Sequence, residues 1–130
     1  MASTPEFIKT ARIGIGNTAT ANTAVNGTGT ITPVIAGATG GTRVLEIVVK
    51  AQASTTACQV GIFLSLDSGA TWTLFDQISV LGATDGTNTA TARVSRFYAN
   101  LTLASSAHQI GFTTKLAQST SVIALGGDLA

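Results

Sequence analysis

The sequence predicts an all-β fold: an antiparallel β-sandwich, jelly-roll-like, with an extended N-terminal arm. Three observations carry that expectation. Apolar and polar residues alternate with period two over much of residues 43–116, the spacing of half-buried strands. Turn residues interrupt the alternation about every ten positions, the rhythm of antiparallel sandwiches. No segment holds a 3.6-residue apolar period between capping residues, so no helix longer than a turn is expected. The outcome is about eight short strands, the jelly-roll number.

Taken in order, residues 1–11 lack a period and carry Pro5. They read as an arm ahead of one domain over residues 12–130. Residues 12–16 (RIGIG) form a short strand candidate. Residues 17–30 are small and polar, and Asn26-Gly27 is the signal of a type I′ turn, which needs positive φ at both positions. Residues 31–35 suit a strand, with Pro33 confining it to an edge or a bulge. Residues 37–41 form a loop. From 43 to 52, Leu45, Ile47, Val49 and Ala51 share one face, and Val44, Glu46, Val48 and Lys50 share the other. From 58 to 66 the apolar face is Cys58, Val60, Ile62, Leu64 and Leu66. From 72 to 80 it is Trp72, Leu74, Ile78 and Val80. From 95 to 103 it is Phe97, Ala99, Leu101 and Leu103. From 108 to 116 it is Ile110, Phe112 and Leu116, and residues 122–125 close the set.

Composition limits the functions open to such a fold. The chain has 130 residues, with 7 Lys and Arg against 6 Asp and Glu, a net charge of +1. That balance excludes a polybasic nucleic-acid tail and an acidic solvating tail. Only 10 % of residues are charged, against about 25 % in ordinary domains. Thr, Ala, Gly and Ser supply 66 of the 130 residues. So few charges protect a surface poorly against association, and much of this surface is expected to be covered by other protein. One cysteine, Cys58, allows no intrachain disulfide and suits folding in reducing cytoplasm as a buried thiol. Neither a signal-peptide core nor a run of the ~18–20 apolar residues of a membrane span is present.

One motif is sharp. Ser65-Leu66-Asp67-Ser68-Gly69-Ala70-Thr71-Trp72 reads S-x-D-x-G-x-T-W and resembles the Asp-box of sialidases and related β-propellers. A propeller needs at least about four blades, and this chain has one copy of the motif. The expectation is therefore a structural turn: Asp67 accepts backbone hydrogen bonds, Gly69 supplies a permissive φ and Trp72 packs back on the hairpin.

Catalytic patterns are sparse. The sole histidine, His108, has no sequence-linked nucleophile and acid. Glu46 and Asp76 are the only carboxylates on strands that could form an acid–base pair. Asp67 or Asp85 with backbone carbonyls could hold calcium, but EF-hand spacing is absent. One Cys and one His are too few for zinc. Gly14-Ile15-Gly16 lacks the GK[ST] of a phosphate loop. Arg93 and Arg96 beside Phe97 and Tyr98 could stack bases, but a net charge of +1 gives no electrostatic footprint for nucleic acid. No enzyme, cofactor or metal is expected.

A resemblance runs along the chain. Met1-Ala2-Ser3-Thr4-Pro5 leads to Arg12-Ile13-Gly14, Thr20-Ala21-Asn22-Thr23 and Asn26-Gly27-Thr28-Gly29-Thr30. Gly41-Thr42-Arg43-Val44, the GIFLSLDSGATWTLFDQISV stretch and Val122-Ile123-Ala124-Leu125-Gly126-Gly127-Asp128 follow. The order resembles a group of small virion-associated structural proteins of tailed bacteriophages. Asn26 stands where that group commonly has Asp, Leu129 where it has Phe, and the Asp-box hairpin where it has a shorter loop.

The resemblance implies a virion structural protein, in first place a capsid decoration (cement) protein. Such a protein is made in the host cytoplasm and sits on the outer capsid surface, with the major capsid protein and its own copies as partners, as a homotrimer. A tail, neck or baseplate adaptor is the alternative, and a carbohydrate-binding sandwich of a host-recognition device is the alternative from another class. Phe7 and Ile8 of the arm are the expected anchors on a neighbour. Val44, Val48, Phe63 and Phe75, opposite the presumed core face, are the expected interface residues.

Overall fold

The computed structural model describes residues 8–130. Its strands are β1 (Thr10–Thr18), β2 (Thr32–Ala36), β3 (Thr42–Ala51), β4 (Cys58–Ser65), β5 (Thr73–Val80), β6 (Arg93–Leu103), β7 (Gln109–Thr114) and β8 (Thr120–Asp128). They form two antiparallel four-stranded sheets, ordered β1-β8-β3-β6 and β2-β7-β4-β5. Pairing is nested: β1 with β8, β2 with β7, β3 with β6 and β4 with β5. A long hairpin rolled over on itself gives this order, the jelly roll expected from the sequence. No helix occurs among the described residues.

Alternation fills the space between the sheets. Ile47, Val49, Val122, Ala124 and Leu101 from the first sheet meet Val60, Ile62, Ile78, Ile110 and Phe112 from the second. Removing these side chains from water is the main stabilising term of a two-layer fold.

One side of the sandwich is closed by glycine. A Cβ at Gly14 of β1 would lie 2.5 Å from the Val34 carbonyl oxygen and 2.6 Å from Ile35 Cβ. At Gly16 it would lie 2.6 Å from the Pro33 carbonyl oxygen. The RIGIG alternation thus does two jobs. Its glycines face inward and let β1 and β2 approach, and its isoleucines face out. The other side, between β5 and β6, is held by a side-chain bridge. Arg96 Nη1 donates to Asp76 Oδ2 at 2.7 Å, and Tyr98 Oη donates to the same oxygen at 2.8 Å.

Several expectations change because strands slip by one residue at bulges. In β3 the register shifts between Val44 and Glu46 against both neighbours. An inserted residue moves all preceding side chains to the opposite face. Val44 therefore lies in the core, fully buried, and Leu45 points outward. In β6, residues 98–100 span the interval opposite Leu45, so Leu101 and Leu103 are buried whereas Phe97 faces outward. In β5, Phe75 is the extra residue between the Ile62–Asp76 and Phe63–Leu74 pairs.

The arm is shorter than expected, because residues 10 and 11 already pair with Asp128 and Gly127 in β1. Asn26-Gly27 makes no type I′ turn. Gly27 has φ 85°, but Asn26 is not in the positive-φ region. Instead, Asn26 Oδ1 accepts from the N–H and the hydroxyl of Thr28, a side-chain turn that leaves Asn26 in an ordinary conformation. Leu66, expected on the apolar face, is exposed. Cys58 is half-buried, with Gln118 Nε2 donating to its sulfur at 3.0 Å.

Candidate interaction surface

The Asp-box residues build a turn. Ser65 Oγ donates to Asp67 Oδ1 at 2.8 Å and accepts from the Gly69 N–H at 2.8 Å. The Thr71 N–H donates to Asp67 Oδ1 at 2.8 Å. These bonds, led by that from Thr71, hold the Asp67 carboxyl below its ordinary range. Ser68 (φ 61°) and Gly69 (φ 89°) take the left-handed conformations that reverse the chain between β4 and β5. The Ser68 N–H donates to the Ala107 carbonyl and ties the hairpin to a neighbouring loop. The carboxylate is thus occupied by its own turn.

The other candidate chemical groups are dispersed. Glu46 lies on the outer side of the first sheet, whereas Asp76 lies on β5 of the second and is held by Arg96 and Tyr98. Burial works to raise the Asp76 pKa. Hydrogen bonds from Arg96, Tyr98 and the Gln77 N–H outweigh it, and the carboxyl lies below its ordinary range. Burial and then the Asp76 carboxylate push the Tyr98 phenol up. His108 Nδ1 accepts from the Ala104 N–H. Arg96 is engaged with Asp76 while Arg93 stands on the outer face, so the proposed arginine pair divides between two surfaces. No group of three His, Cys, Asp or Glu suited to a metal occurs among the described residues. On the β5–β6 side, beyond the Arg96–Asp76 bridge, Val80, Leu81, Ala92 and Val94 line a largely apolar cleft of ≈ 380 Å³.

The two outer sheet faces differ. Over the second sheet, Gly61 and Gly111 leave a floor without side chains, and the chain covers it. A Cβ at Gly111 would meet Ile31 Cγ2 at 2.7 Å and Trp72 Cη2 at 3.0 Å. At Gly61 it would meet Phe63 Cε1 at 2.9 Å. The segment before β2 is fastened to this sheet by the Asn22 N–H, which donates to the Thr114 carbonyl at 2.9 Å, and is held in shape by Asn22 Nδ2, which donates to the carbonyls of Thr28 and Thr30. Trp72 packs back on its own turn at Gly69 and over Gly111 on this outer face, as the Asp-box reading expects. Phe63 does lie opposite the main core, but it is buried within its own chain.

Over the first sheet no such cover exists among the described residues. Registered positions on adjacent strands project to the same side. They give three rows across β1, β8, β3 and β6. The first is Ile13, Leu125, Glu46 and Phe97; the second is Ile15, Ile123, Val48 and Ser95; the third is Asn17, Ser121, Lys50 and Arg93. Ile13 is 64 % exposed, Ile15 56 % and Phe97 75 %. Two apolar rows bordered by a polar one form a contiguous patch of the kind that marks an interaction site.

Of the interface residues expected from the sequence, Val44 is core. Val48 lies within this face but is itself buried between its neighbours. Phe75 is partly exposed at the other edge, 5.4 Å from the Tyr98 ring. Ile8 is half-buried against Gly127, next to the patch, and Phe7 lies outside the described residues. The reading of residues missed Ile13, Ile15 and Phe97. The RIGIG alternation carried the signal for the first two, since glycine at the inward positions implies isoleucine at the outward ones. No protein-family model matches the chain, and a search of curated proteins finds no match.

Proposed function

We propose that the chain is a structural subunit of a tailed-phage virion, acting as a capsid decoration protein that binds the outer head surface and stabilises the shell. The observation that supports this best is the apolar face of the first sheet, left open by the described residues, on a chain with only 10 % charged residues. A β-sheet facing water alternates apolar-in with polar-out, and β1 breaks that rule with exposed Ile13 and Ile15. Such a face favours protein contact, and the virion resemblance supplies the setting. The work is mechanical: packaged DNA presses outward, and buried area at each capsomer junction resists it. The engagement of Asp67 and Asp76 in structural bonds fits a role without chemistry. A carbohydrate-binding sandwich is less well supported. Its stacking platforms would be aromatic, and Trp72 is turned onto Gly111 while the Tyr98 hydroxyl is bonded to Asp76.

Quantitative mass spectrometry of purified virions encoding the chain tests the proposal. Copies comparable in number to the shell subunits support a head decoration protein. A handful per particle assigns the chain to neck or tail, and absence from particles overturns the virion reading.

A further inference from the structure

We propose that the outer face of the first sheet is a self-complementary interface for a second copy of this chain, packed about a two-fold axis along the Ile15–Ile123–Val48–Ser95 row. This rests on the assembly reading above and names the occupant of that face. The argument is one of charge and register. On β3, Glu46 and Lys50 flank Val48 at equal distance in sequence; on β6, Phe97 and Arg93 flank Ser95. Val48 and Ser95 are registered partners. Two sheets stacked face to face align their strands to within about 30°. A two-fold axis along the middle row then lays each strand antiparallel over its own copy.

Glu46 is thereby brought over Lys50 of the second copy, and Phe97 towards Arg93 of the second copy, each contact occurring twice. The first is an ion pair and the second a cation over an aromatic ring. Ile15 and Ile123 stack on themselves beside the buried Val48, Ile13 lies over Asn17 and Leu125 over Ser121 of the second copy, and a two-fold contact of this kind is isologous. The other two-fold arrangement, with its axis along the strands, sets Glu46 over Leu125 of the second copy and leaves a carboxylate covered without a partner, which is costly. Glu46 has no salt-bridge partner within its own chain among the described residues. Lys50 Nζ donates to the Thr91 carbonyl at 3.0 Å and retains two further donors.

Four strands about 4.8 Å apart and three rows about 6.8 Å apart give a face of roughly 400 Å² per copy. Two such faces bury about 800 Å², the range of weak, transient association. The dimer is therefore expected at tens of micromolar and above, and to be strengthened where a lattice holds copies together.

Sedimentation of the full chain, with a concentration series to about 1 mM, tests the inference. Wild type should dimerise. Glu46→Lys and Lys50→Glu should each weaken the dimer about tenfold or more by setting like charges together. The double variant Glu46→Lys/Lys50→Glu should recover to within about threefold of wild type, because the pairs re-form with signs exchanged. Ile15→Arg, an exposed substitution whose fold is checked by circular dichroism, should abolish the dimer. A chain that is monomeric throughout, one that forms trimers, or a double variant weaker than either single variant would each overturn the inference. The outcome is separable from the virion reading: a monomer abundant on particles leaves that reading standing, and a dimer absent from particles removes it while leaving the interface.

Discussion

Gly14→Ala should open the β1–β2 side of the sandwich, and its cost can be worked from distances. The new Cβ would sit 2.5 Å from the Val34 carbonyl oxygen and 2.6 Å from Ile35 Cβ. Both obstacles are fixed, one being backbone and the other the root of a side chain. Relief requires β2 to retreat by about 1 Å, and such a gap forfeits roughly a quarter to a half of the dispersion contact. Val34 and Ile35 are buried, each contributing about 1.5–3 kcal/mol. The loss is then about 1–2 kcal/mol, and residual overpacking strain brings the total to about 2–3 kcal/mol. Gly86→Ala is the matched control. Its Cβ would meet nothing nearer than 4.0 Å and its φ is not in the left-handed region, so it should be neutral or stabilise slightly by restricting the unfolded chain. Urea denaturation of the three proteins compares them at constant chemistry. Equal midpoints for Gly14→Ala and Gly86→Ala would refute the argument that glycine is required for this closure.

Asp76→Asn should cost about 1–2 kcal/mol by weakening the hydrogen bonds from Arg96 and Tyr98, read as a lower urea midpoint with an unchanged slope. The Asp76 pKa is lowered in the folded chain from an ordinary 3.8, so its stabilisation is complete above that value and is lost as pH falls through the lower folded value. Stability curves of wild type and Asp76→Asn should therefore run parallel from pH 7 to about 5 and converge in acid. Asp67→Ala should speed hydrogen exchange at the Thr71 amide while leaving amides of β7 and β8 protected, because the lost bonds are local to the turn. Phe112→Ala should cost about 3–5 kcal/mol, the range for removing a fully buried aromatic ring, measured by the same denaturation.

The fold class was legible because it rests on alternation and turns, which are local. Val60, Ile62, Ile110 and Phe112 read as one face and form one face. The Asp-box was legible for the same reason: its hydrogen bonds join residues at most four positions apart. What failed was parity across bulges. Nothing in Arg43-Val44-Leu45-Glu46 announces an inserted residue, because the register shift there is imposed by two partner strands distant in sequence. Once Val44 moves inward, assigning the outer face from residues 43–52 goes wrong by one position, and the same occurs at Phe97. Burial by a loop was also invisible. Phe63 obeys the alternation and points away from the core, yet Ile31 and Trp72, contributed from elsewhere in the chain, close over the floor beside it.

That contrast between the sheets bears on function more than any single residue. A jelly roll has two outer faces, and this chain treats them differently. Over the second sheet it spends a long segment, Asn22 and its only tryptophan to cover a glycine floor. Over the first sheet it places Ile13, Ile15 and Phe97 in the open. If the outer apolar residues were incidental, both faces would be expected to carry similar exposed rows. The asymmetry instead separates a face covered by the chain itself from one that the described residues leave open. The glycines of β1 sharpen the point. With Gly14 and Gly16 inward, β1 contributes little to the core, and its large apolar side chains are all directed outward. A strand built in that way stabilises its own fold chiefly by backbone pairing with β8 and close approach to β2. Its isoleucines lower the free energy further whenever an apolar surface removes them from water.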